Sequence, residues 1–100
     1  MAKFCIKRNH HSNSIWDEII GFIDSDQDLT HNVERFNWPY GKEILRCINE
    51  ITGEKYTWFS HFAPCGGIGT SIVFKCSTMK HRQTFTIYKT DLLDLPITKI

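Results

Sequence analysis

Apolar and polar residues alternate along the first segment of the chain. From Lys3 to Arg8, Phe4 and Ile6 fall on one side and Lys3, Cys5 and Lys7 on the other, the pattern of a half-buried strand. The alternation returns late in the sequence. Thr70–Cys76 sets Ile72 and Phe74 against Ser71, Val73 and Lys75, and Gln83–Lys89 sets Phe85 and Ile87 against Thr84, Thr86 and Tyr88. Lys55–Phe62, dense in aromatics and threonine, is a further strand candidate. Short connections between these last three predict consecutive antiparallel hairpins.

Two segments carry helical spacing instead. Ile15, Trp16, Ile19, Ile20, Phe22 and Ile23 predict a helix from Ile15 to Ile23, with Ser14 as N-cap and Asp17 and Glu18 at the positive end of its dipole. Asp24–Asn32 then reads as a polar acidic connection. Pro39 suits the start of a second helix, Ile44, Leu45, Ile48 and Ile51 form one apolar stripe, and Gly53 is placed to close it. Thr90–Leu95 predicts one last helical turn, halted near Pro96. The expected order is β-α-α-β-β-β. It predicts a single α+β domain over residues 1–100, with two helices on one face of an antiparallel sheet of about four strands and the other face at least partly wet.

Charge divides the chain more sharply than its net +1 suggests. From Lys55 to Thr90 there is no Asp or Glu, yet this stretch holds Lys55, Lys75, Lys80, Arg82 and Lys89, with His61 and His81. From Ser14 to Glu34 the reverse holds, with six carboxylates and neither Lys nor Arg. Such asymmetry speaks of partners rather than of fold. Hydrophobic residues at 41% and charged residues at 23% exclude wholesale disorder. The N-terminal positive charges have no apolar run behind them, so no secretory signal is expected, and no apolar run reaches membrane length. Cys5, Cys47, Cys65 and Cys76 are too sparse for a disulfide scaffold. They are expected to be reduced, mostly buried thiols in a cytoplasmic protein.

No constellation completes a catalytic or metal site. Gly66, Gly67 and Gly69 could shape a loop that cradles an anion, but the loop joins two strands and lacks a Walker lysine. His61, Cys65, Cys76 and His81 offer zinc-binding side chains. In a hairpin, though, the two cysteines would stand about 20 Å apart, too far to share one ion. Cys65 and His61 alone lack a third, orienting group. Asp24, Asp26 and Asp28 open like a calcium loop that then fails, with Leu29 where glycine is wanted and Arg35 where glutamate is wanted. No cofactor or metal is expected.

The strongest cue is the interleaving of aromatics with acid-free basic residues on predicted strands. It nominates Trp58, Lys75, Lys80, Arg82, Tyr88 and Lys89 as a binding surface. The expected function is that of a small non-enzymatic protein that docks on a macromolecular partner and modulates or inhibits it. The partner would be an acidic protein surface or a protein–nucleic acid complex, with RNA or DNA itself as a further candidate. The β-α-α-β-β-β order also resembles, in topology alone, that of small RelE-like ribonuclease toxins. That resemblance implies an RNA-binding or RNA-cleaving domain in which His61 and His81 serve as acid and base while Lys80 and Arg82 clamp phosphate. A homodimer is a further expectation, if Thr70–Cys76 or Gln83–Lys89 lies at a sheet edge and pairs with its twin.

Overall fold

The computed structural model describes residues 2–9, 18–26, 29, 39–62, 71–90 and 97–99. These form strands β1 (Ala2–Arg8) and β2 (Glu18–Ser25), helix α1 (Gly41–Thr52), and strands β3 (Trp58–Phe62), β4 (Ser71–Ser77), β5 (Arg82–Lys89) and β6 (Ile97–Lys99). The strands make one six-stranded sheet in the order β3-β4-β5-β1-β2-β6. Every pairing is antiparallel except the short parallel contact of β6 with β2. The coarse class, α+β with an antiparallel sheet, is the one the sequence predicts.

The expected helix over Ile15–Ile23 is a correction. Glu18–Ser25 is a strand, paired with β1 on one side and β6 on the other. The apolar spacing misleads because the strand carries a bulge. The register with β1 shifts between Ile6 and Lys7, so that Lys7 opposes Ile19, Ile6 opposes Gly21, and Ile20 is the extra residue. A bulge breaks the period of two. Ile20, Gly21 and Ile23 therefore all face α1, and Phe22 is buried on the opposite face beside Cys5. A two-sided apolar strand with one extra residue imitates a helical stripe. Asp24, expected in an exposed connection, is the penultimate residue of this strand and is buried. The chain thus has one helix among its described residues rather than two, and the β-α-α-β-β-β order shared with RelE-like toxins is not its order. The turn expected over Thr90–Leu95 lies, beyond Thr90, outside the described residues, and β6 was not anticipated.

Helix α1 forms as its pattern predicts. Ile44, Cys47 and Ile48 are buried, and Leu45 and Ile51 pack at the margin of the core. The helix stops at Gly53, which takes φ 74° and donates its N–H to the Asn49 carbonyl at 2.9 Å, a left-handed cap that glycine adopts without steric cost. Asn49 then fixes the approach to β3. Its amide donates to the Tyr56 carbonyl at 3.1 Å, and its side-chain oxygen accepts the Tyr56 N–H at 3.0 Å. The core beneath α1 joins Phe4, Ile6, Ile23, Ile72, Phe74, Phe85 and Ile87, all fully buried. Alternation on β4 and β5 holds as predicted, with these residues inward and Ser71, Val73, Lys75, Thr84, Thr86 and Tyr88 on the other face.

The edge assignment is a second correction. Strands β4 and β5 are interior, because β3 covers one side of β4 and β1 inserts beside β5. The sheet ends at β3 and β6.

Cys5, Cys47 and Cys76 are free and fully buried. Burial pushes the Cys47 thiol up to about 11 and the Cys76 thiol up to about 12. The folded state thus holds these protons more tightly than the unfolded chain, whose thiols titrate near 9. Stability from this source is complete below pH 9 and drains as pH rises towards 11 and 12. We expect the urea midpoint to be flat from about pH 7 to 8 and to fall steadily above about 9, less steeply in Cys76→Val. An equal slope in both proteins would remove Cys76 as a cause.

Candidate functional site

Strand parity decides which of the nominated residues meet. Trp58 on β3 lies opposite Ser77 on β4, and Ser77 lies opposite Arg82 on β5. The neighbouring row runs Ser60, Lys75, Thr84. Both rows fall on the face away from α1. Trp58 and Arg82 therefore stand two strand spacings apart, about 10 Å at the backbone, with Lys75 in the adjoining row. Trp58 is 57% exposed, a large fraction for an indole that could have joined the core. Ser60, Lys75 and Arg82 are exposed, and Ser77 and Thr84 half-buried.

Together Ser60, Lys75, Cys76, Ser77, Arg82 and Thr84 line a depression of about 350 Å³. Two cations and three hydroxyls surround it. No carboxylate lies on β3, β4 or β5. An anion held here would find charge-assisted donors on both sides and hydroxyl donors beneath.

The β4–β5 turn borders this corner and is internally braced. The Thr78 hydroxyl accepts the N–H groups of Lys80 and His81, each at 3.1 Å, while the Thr78 N–H donates to the His81 carbonyl at 2.9 Å. The turn presents Lys80 to solvent and leaves Met79 86% exposed.

Two nominated residues lie elsewhere. Tyr88 shares the open face but stands six residues along β5 from Arg82, about 20 Å away. It is half-buried, hydrogen-bonds the Cys5 thiol and lies under Lys7, whose Nζ is 5.4 Å from the ring centroid. Burial first, and then that hydrogen bond, push its hydroxyl up to about 12. Lys89 follows the parity of Phe85 and Ile87 and so belongs to the helix side, opposite Phe4.

The two histidines are not brought together. His61 follows the helix-side parity of β3 and stacks on Phe59, with centroids 6.5 Å apart. His81 is exposed in the turn, its ring edge-on to Tyr56 at 5.4 Å and its Nδ1 3.4 Å from the Thr78 hydroxyl. Two strands and four residues of β5 separate them, roughly 16 Å at the backbone. A general acid and base serving one bond need to reach the same few atoms. Cys65, the glycine-rich loop before Ser71 and most of the acidic calcium-like segment lie outside the described residues. Among the described residues, no three metal-ligating side chains gather, and no helix is long and apolar enough to cross a membrane.

Ser60, Ser77 and Thr84 were not nominated from the sequence. The signal for them was present, since each shares the outward parity of Lys75 or Arg82 on its strand. Compared with protein-family models, with curated proteins and with solved structures, the chain matches none.

Proposed function

We propose that this chain is a small non-enzymatic binding protein that docks an anionic macromolecular partner on the exposed corner of β3, β4 and β5 and thereby modulates or inhibits it. The observation that carries this reading is the convergence of Trp58, Lys75 and Arg82 around one polar depression on three strands that carry no carboxylate. Charge on such a surface steers association and selects against basic partners. An exposed tryptophan beside it supplies contact area of the kind that dominates binding energy. No specific observation favours a cleaving enzyme, because His61 and His81 occupy separate places.

The test is binding to polyanions, with heparin, poly-L-glutamate and nucleic acids as probes at low and moderate salt. Binding is expected to weaken steeply with salt. The Lys75→Ala/Arg82→Ala variant is expected to lose at least about tenfold in affinity, since each charged hydrogen bond is worth about 1.5–3 kcal/mol. Indifference of every probe to that double substitution would move the interface off this face.

A further inference from the structure

We infer that the partner seated on this corner is a single-stranded nucleic acid, with one base stacked on Trp58 and a neighbouring phosphate held in the depression between Lys75 and Arg82. The inference rests on the binding reading above and names its ligand class. Three features of the corner select it.

The first is the pairing of an exposed indole with a hollow bordered by two cations. Trp58 is 57% exposed, and the depression starts at Ser77, its partner on β4. A nucleotide carries a planar face and an anion at a fixed short separation. An acidic peptide offers carboxylates with no such fixed plane. Stacking on an aromatic side chain tolerates any base, so an interface of this kind needs no base-edge readout.

The second is the donor set. Lys75 and Arg82 bring charge, and the hydroxyls of Ser60, Ser77 and Thr84 bring neutral donors. That set matches a phosphodiester, whose oxygens take Arg and Lys together with Ser and Thr hydroxyls in nucleic-acid interfaces.

The third is shape. The corner is the outer face of three adjacent strands, bordered by the braced turn that presents Met79 and Lys80. Among the described residues, no helix projects from it to enter a major groove. Stacking on Trp58 also requires a base that is already unpaired. Duplex is therefore the poorer ligand. Rows further along the sheet turn away from solvent, where Cys5 and Phe22 are buried and Tyr88 is engaged. The built contact thus spans only a few nucleotides.

The experiment uses the intact chain and fluorescence anisotropy with labelled oligouridylate, oligothymidylate, duplex DNA of equal length and poly-L-glutamate, at low and moderate salt. Single strands are expected to bind at least about tenfold more tightly than duplex. Trp58→Ala is expected to cost them about tenfold or more, with Trp58→Phe recovering most of the loss, and to cost poly-L-glutamate, which has no base to stack, several-fold less. Because Trp58 is exposed, the variants are expected to fold, and circular dichroism checks that they do. Two results overturn the inference and leave the binding reading standing. One is tight poly-L-glutamate binding with none of single strands. The other is duplex binding equal to single-strand binding and indifferent to Trp58→Ala. Failure of every polyanion to bind even at low salt overturns both.

Discussion

Phe74→Ala is expected to cost about 3–5 kcal/mol, a large part of the 5–15 kcal/mol that holds a domain of this size together. Phe74 is fully buried at the centre of β4. Its ring stacks on Phe59 with centroids 5.1 Å apart and planes 14° apart, and it pairs across the strand with Phe85. Truncation removes the transfer energy of a large ring and leaves a hollow. The surrounding strands cannot close that hollow, because each is hydrogen-bonded on both sides or pinned by the helix. Urea unfolding of the wild type, Phe74→Leu and Phe74→Ala measures it. The leucine variant should lose under half as much as alanine, since it keeps most of the volume. A loss below about 1.5 kcal/mol for alanine would mean that the sheet collapses onto the hollow, and that the packing beneath α1 is looser than its burial implies.

Gly41→Val is expected to be the next most damaging change, by about 1–3 kcal/mol. Gly41 is the first residue of α1 and is buried. A Cβ built there would overlap the Phe59 ring at its Cε2 and Cζ atoms. Phe59 cannot swing aside without giving up its stack on Phe74. The helix must lift, or the β3 edge strand must move. Movement of β3 disturbs Trp58, the residue next to Phe59, so weaker ligand binding should then accompany lost stability. Thermal unfolding of Gly41→Val beside Gly41→Ala reads the first effect, and the anisotropy titration reads the second. Unchanged binding in a destabilised protein would mean that the helix yields and β3 stays in place.

Local signals in the sequence were enough for five of the elements, and the reasons differ. Strands β1, β4 and β5 alternate cleanly because one face meets the core and the other meets solvent or polar neighbours. Helix α1 is marked by its Ile44–Ile51 stripe and by Gly53. Strand β3 was readable by composition, although its first residues belong to the connection that Asn49 fastens. Strand β2 failed because Ile20 is an extra, bulged residue and Phe22 is buried on the far face, which together counterfeit a helical stripe. Strand β6 is three residues long and parallel to β2, too short to show a period. The edges were misplaced because β1 inserts beside β5 from the opposite end of the sequence, and no local pattern encodes a long-range pairing. The site shows the same division. Trp58, Lys75 and Arg82 were findable from charge and parity. Lys89 could have been rejected on the parity of Phe85 and Ile87. Tyr88 could not, because its engagement with Cys5 exists only once β1 is in place.

That insertion also sets an order of assembly. Strands β3, β4 and β5 are linked by near neighbours in sequence, whereas Phe4 must find Lys89 and Arg8 must find Phe85 across most of the chain. Closing so long a loop is slow, and it is rewarded only after the β4–β5 ladder exists to receive β1. On a ribosome β1 emerges early and has β2 to pair with, but its other edge waits until Arg82–Lys89 has been made. The corner that carries Trp58, Lys75 and Arg82 therefore belongs to a part of the sheet that can organise by local pairing alone, before the β1–β2 pair docks along β5.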